Sequence, residues 1–127
     1  SKSLDEIVTN SRQLIEASKN RKITAGQMED GTFTVSNLGA FGIEYFTPII
    51  NLPQCAILGI GAIRKEPIMD GGGVVNKDQL PLSLTFDHRI VDGAPAAKFL
   101  QTLCQLIAET RQSMLQKLYY RVLAGMG

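Results

Sequence analysis

The sequence predicts an α/β fold, an α+β two-layer sandwich with helices packed on a mostly antiparallel or mixed sheet. Three observations predict it. Apolar residues recur at helical spacing in the opening segment and again twice after Gly93. A continuous apolar run, CAILGIGAI, occupies residues 55–63. A run in which every second residue is apolar occupies residues 79–87. Stripes of the first kind and strands of the other two each leave an apolar face that only a second layer can cover. At 127 residues the chain is expected to form one domain spanning 1–127.

The opening segment places Leu4, Ile7, Val8, Leu14 and Ile15 on one helical stripe, and Ser3 with Glu6 has the spacing of a capping box. An amphipathic surface helix is expected there. Thr24 is positioned to cap a short further turn, which Glu29, Asp30 and Gly31 interrupt before the strand-like run TFTVSN. The stretch LGAFGIEYFTPIINLPQ holds two glycines and two prolines, so it reads as a loop anchored by Phe41, Tyr45 and Phe46. The apolar run from Cys55 is too short for a typical helix and suits a strand buried on both faces. Leu80, Leu82, Leu84 and Phe86 alternate with Pro81, Ser83 and Thr85, so the two runs are expected to pair as one long antiparallel hairpin turning at Asp70–Gly73. A second helix is expected over about 94–110, with Phe99, Leu100, Leu103, Leu106 and Ile107 on one face. A third is expected over about 112–123, carrying Met114, Leu115, Leu118, Tyr119 and Val122.

Thirteen Lys and Arg stand against twelve Asp and Glu, and the charges are scattered. Nucleic acid and anionic membrane surfaces are therefore not expected partners. The longest apolar run is about half of the ~20 residues that a spanning helix needs, and no leader-like segment opens the chain, so a soluble, unsecreted protein is expected. Cys55 lies in the apolar run and Cys104 in a helical stripe, where cysteine serves as a small hydrophobe. Two free thiols are expected. With a single histidine and no clustered cysteines, no metal site is expected.

His88 is the only side chain of a type whose ordinary pKa lies near neutrality, so general acid or base work falls to it first. Taken alone, a solitary histidine is more often structural. Its surroundings change the weighing, because Asp87, His88, Arg89, Asp92 and Gly93 crowd into seven positions between a buried strand and a helix start. Asp92 has two readings, an N-terminal helix cap or a partner of the base. Asp87 and Arg89 are expected to fix the turn through an ion pair. Ser36, at a strand end, is by itself more often a residue that bonds local backbone.

These segments carry a resemblance. SNLGAFG, FTPIINLPQCAILGIG and FDHRIVDG occur together, in order and at fitting spacing, and the stretch from about 3 to 107 resembles the C-terminal half of the catalytic domain of dihydrolipoamide acyltransferases. These are the core components of 2-oxo acid dehydrogenase complexes. The resemblance implies a chloramphenicol-acetyltransferase-like fold, here a partial domain, assembled as homotrimers with active sites between subunits. It implies transfer of an acyl group between dihydrolipoamide and coenzyme A, with acetyl the group that SNLGAFG resembles most. The lipoyl group would be carried on a separate domain, and that domain and the other components of the complex would be partners. His88 matches the family's base, Asp92 the acidic or amide residue of its DHRxxDG or DHRxxNG motif, and Ser36 the serine of its FTxSxLG motif. In relatives the serine and histidine serving one site come from different subunits. The implied compartment is bacterial cytoplasm, with a mitochondrial matrix as the alternative.

The sequence also departs from the pattern. The family's catalytic domain is about twice as long, and the absent half supplies an arginine expected to pair with the position of Asp92. Arg89 is the nearest substitute in this chain. The tail is longer and more helical than the hook that joins trimers in relatives, so a trimer or small assembly is expected rather than a large cubic core. Two other readings remain open: a non-catalytic core or scaffold component, or inactive truncated fragment, of such a complex, and a related acyltransferase acting on a hydroxyl acceptor.

Overall fold

The computed structural model describes residues 2–111 and 122–126. Two compact units are present, Ser1–Thr32 and Phe33–Gly127. In the first, helix α1 spans Leu4–Lys19 and begins with the expected capping box: Ser3 Oγ accepts from the Glu6 amide at 3.3 Å, and Glu6 Oε2 accepts from the Ser3 amide at 2.7 Å. Two backbone donors that a helix start leaves open are thereby satisfied. A short helix α2, Ala25–Met28, follows Thr24, with Gln27 Oε1 accepting from the Thr24 amide at 2.9 Å. The stripe on α1 is amphipathic as expected, yet none of its residues is buried within this unit.

The second unit is a mixed sheet with a helix on one face. Strand β1 is Thr34–Asn37, β2 Ala56–Ile60, β3 Arg64–Asp70, β4 Gly73–Gln79, β5 Leu82–Phe86 and β6 Val122–Met126; helix α3 is Gly93–Arg111. The main sheet runs β1-β2-β5-β6, with β1 parallel to β2, β2 antiparallel to β5, and β5 parallel to β6. Leu82, Leu84 and Phe86 of β5 and Ala56 and Leu58 of β2 share one face with the buried α3 residues Ala96, Leu100 and Cys104. This is the core. The opposite face carries Ser36, Gly59 and Ser83 in one row and Thr34, Ile57 and Thr85 in the next. Both cysteines are free thiols.

Two expectations need correction. The apolar run and the alternating run do pair, but not as one hairpin: β2–β5 belongs to the main sheet and β3–β4 forms a separate two-stranded ribbon turning at Gly71 and Gly72. The break falls at Gly61–Ile63, where the Ala62 amide donates to the Ile43 carbonyl at 2.8 Å instead of to a partner strand. Facing it is Pro81, which has no amide to continue a ladder and only accepts, from the Gly61 amide at 3.0 Å. The apolar run is therefore a five-residue strand rather than nine. The third helix expected over 112–123 falls largely outside the described residues, but Val122 and Leu123 are strand residues in β6, paired with Leu82 and Ser83. The open edge of β5 offers those two residues a ladder that helical periodicity does not reveal.

Candidate functional site

The segment that follows β5 folds into a tight turn. The Asp87 amide donates to the Cys55 carbonyl at 2.8 Å, extending the β2–β5 register by one residue, and the Asp87 carbonyl then accepts from the Ile90 and Val91 amides at 3.0 Å each. Inside this turn the Asp87 carboxylate accepts from the Arg89 amide at 3.0 Å and from its guanidinium, closest at 2.6 Å. The expected ion pair is thus formed, and its two ends are unequally exposed, 14% for the Asp87 side chain and 87% for Arg89. Hydrogen bonding from the Arg89 side chain, then from its backbone, holds the Asp87 carboxyl well below its ordinary range, at about 2. A charge-assisted loop of this kind stiffens the residues on either side of His88.

His88 is exposed, and its ring lies 5.7 Å from that of the buried Phe86, tilted by 39°. Asp92 is exposed one position before α3, and its backbone carbonyl accepts the Ala96 amide at 3.2 Å. Its position is that of a helix cap, but among the described residues its carboxylate has no hydrogen-bond or ion-pair partner. The suggested Arg89–Asp92 pair is not formed, because the guanidinium is held by the nearer Asp87. His88 and Asp92 therefore share one turn, open to solvent.

Ser36 is elsewhere. It is half-buried near the C-terminal end of β1, level with Gly59 of β2, whereas Asp87 is level with Cys55. Four strand residues separate those levels, about 13 Å along the sheet at 3.3 Å each. Because β1 runs parallel to β2 and β5 antiparallel to it, the serine and the histidine leave the sheet at opposite ends. One copy of the chain does not bring them together.

The surroundings of Ser36 are rigid. The Leu38 amide donates to the Ile60 carbonyl at 3.1 Å, Asn37 Oδ1 accepts the Gly39 amide at 2.9 Å, and a 3-10 turn runs over Gly39–Phe41. A Cβ on Gly39 would stand 2.6 Å from the Gly61 carbonyl oxygen, and one on Gly61 would collide with the Glu44 carbonyl, so both positions require glycine. Beside them Ser83 Oγ donates to the Phe46 carbonyl at 2.8 Å, and the Phe46 ring covers Gly59. Arg64 secures the same loop from the start of β3, donating to Glu44 at 2.8 Å and to the Tyr45 hydroxyl at 3.2 Å. Neither Ser83 nor Arg64 stands out in the sequence, since their partners lie 37 and about 20 positions away.

Residues 1–115 match the model of the family described as 2-oxoacid dehydrogenases acyltransferase (catalytic domain). The chain belongs to the 2-oxo acid dehydrogenase acyltransferase family. A curated member, the dihydrolipoyllysine-residue acetyltransferase component of the acetoin cleaving system of Bacillus subtilis, is 50% identical over 95 residues, covering 73% of this chain and 24% of the relative. Among solved acyltransferase structures, the dihydrolipoamide acetyltransferase of Azotobacter vinelandii superposes with a TM-score of 0.77 at 34% identity, covering 91% of this chain and 47% of that one. In that enzyme a serine, a histidine and an asparagine have been studied for their role in the catalytic mechanism. The cubic core of a pyruvate dehydrogenase multienzyme complex gives the same TM-score, identity and coverage. The fold is accordingly chloramphenicol-acetyltransferase-like, as expected. The chain spans about a quarter of the B. subtilis acyltransferase and about half of the acyltransferase core chains. Among the described residues, no helix is long and apolar enough to cross a membrane.

Proposed function

We propose that this chain carries the base and the oxyanion donor of a dihydrolipoamide acyltransferase, acetyl being the transferred group, with coenzyme A and dihydrolipoamide as the two thiols. One observation carries the reading. In the A. vinelandii enzyme the studied serine precedes the histidine by 52 positions and the asparagine follows it by four; Ser36, His88 and Asp92 stand at the same two spacings. Asp92 replaces the amide with a carboxylate. The acetyltransferase of the acetoin cleaving system, half identical to this chain, supports acetyl as the acyl group.

The chemistry follows from these groups. A thiol of pKa around 8.5 is mostly protonated at neutral pH. Neutral His88 accepts the S–H proton as the sulfur attacks the thioester carbonyl carbon, and the carbonyl oxygen becomes an oxyanion that the Ser36 hydroxyl stabilises by donating to it. Collapse of the tetrahedral intermediate breaks the original C–S bond, and the departing thiolate takes the proton back from the imidazolium. Asp92 stands four residues on in the same turn, at the position of the asparagine in the A. vinelandii enzyme. That Ser36 and His88 leave the sheet at opposite ends supports a complete site formed between copies, and a homotrimer is the assembly proposed. The lipoyl group arrives on a separate domain of a 2-oxo acid dehydrogenase complex, in bacterial cytoplasm. The chain as a whole is read as a single domain, 1–127, part of the acyltransferase catalytic domain.

The test is acetyl transfer from acetyl coenzyme A to dihydrolipoamide. His88→Ala is expected to lower the rate by about 10²–10⁴-fold, and Ser36→Ala by about 10²–10³-fold. If the native chain is trimeric and still transfers no faster than His88→Ala, the reading fails.

A further inference from the structure

Between the sheet and the first turns of α3 lies an apolar pocket of about 250 Å³. Leu84, Phe86 and Ala96, all buried, form its floor; Cys55 and Val91 flank it; and Phe33 and Phe99, whose rings are 5.8 Å apart, stand at its margin, 39% and 46% exposed. The proposed acyl transfer does not account for this pocket. An apolar cavity of ~150 Å³ already admits a benzene ring, so the space suits a hydrocarbon chain somewhat longer than six carbons. Among the described lining residues the only heteroatom-bearing side chain is the Cys55 thiol, so this lining suits a hydrocarbon and not a charged head group.

The pocket is also next to the base. Phe86 forms part of its floor and is the ring against which His88 rests, and Val91 belongs to the same turn as His88. From these observations we propose that the pocket binds the saturated tail of a medium-chain acyl thioester, with the thioester end toward His88. The inference rests on the thioester chemistry proposed above and adds to acetyl a second, longer class of acyl group that this pocket would hold. Each methylene that enters an apolar lining is worth about a fourfold gain in affinity, so octanoyl should exceed butanoyl by about two orders of magnitude.

Cys55 provides a readout that needs no turnover, and fully buried Cys104 provides its internal control. In the full chain, octanoyl coenzyme A is expected to slow alkylation of Cys55 by tenfold or more at concentrations where acetyl coenzyme A has no effect. Val91→Phe, which fills the pocket from its flank, should abolish that protection. Phe99→Ala, a milder change at the half-exposed margin, should raise the octanoyl coenzyme A concentration needed. Equal Cys55 rates with octanoyl and acetyl coenzyme A would overturn the proposal, as would protection that both variants retain in full. Protection by octanoyl coenzyme A in a chain that transfers no acetyl group would uphold the pocket while removing the transferase reading.

Discussion

Asp87 shows how one side chain can organise the turn that carries the proposed base. Its carboxylate accepts from both the backbone and the side chain of Arg89, and the residue between them is His88. With the folded pKa at about 2 against an ordinary 3.8, the carboxylate supports the turn fully above pH 3.8 and loses that role as pH falls through about 2. The Arg89 amide resonance should therefore titrate in acid with a midpoint near 2. A midpoint near 4 would mean that the pair does not form in solution. Asp87→Asn should remove this transition and lower acyl transfer at neutral pH while leaving the fold intact. Gly61 is a residue of another kind, chosen by space. A Cβ there would also lie 2.8 Å from Pro81 Cγ, so Gly61→Ala should destabilise by about 1–3 kcal/mol, read as a fall of several degrees in Tm. An unchanged Tm would show that the 38–46 loop can lift from the sheet.

Among the elements, α3 and β5 hold the second unit together. Leu100 is 0% exposed at the centre of their contact, and Leu100→Ala should cost about 2–5 kcal/mol in a denaturation experiment. The exposed Gln101→Ala beside it should fall within about 0.5 kcal/mol of the parent, and similar losses for the two would contradict the core described here. These elements were legible in the sequence because their signals are local. Ser3 and Glu6 cap α1 across three residues, and the alternation from Leu80 to Phe86 reports which face of β5 meets α3, although Thr85 on the other face is buried as well. The break in the expected hairpin was not legible. It depends on the Ile43 carbonyl capturing the Ala62 amide, a contact made across 19 positions. For Val122 and Leu123 the apolar spacing suits a helix, and only the vacant edge of β5 turns them into strand.

At the scale of the whole molecule, Ser36, His88 and Asp92 stand out in two short motifs, SNLGAFG and FDHRIVDG, whereas the separation of serine from histidine is implied only by the family resemblance and its geometry not at all. That geometry depends on the directions of β1 and β5 relative to β2, which no motif encodes. If the proposed site lies between copies, two inactive variants should repair one another. Ser36→Ala and His88→Ala, unfolded and refolded together, should recover activity at roughly a quarter of the sites by random assortment. The same variants refolded separately and then mixed without exchange should recover none. Activity that does not return in co-refolded mixtures, with trimers confirmed, would place both groups of a site in one copy.

The opposed directions of β1 and β5 have a thermodynamic consequence. If the proposed acyl transfer needs both His88 and Ser36, a fold that holds them at opposite ends of a sheet cannot be catalytically competent at infinite dilution, however stable each copy is. Competence becomes a property of the association equilibrium, with the protein's own concentration acting as an activating ligand.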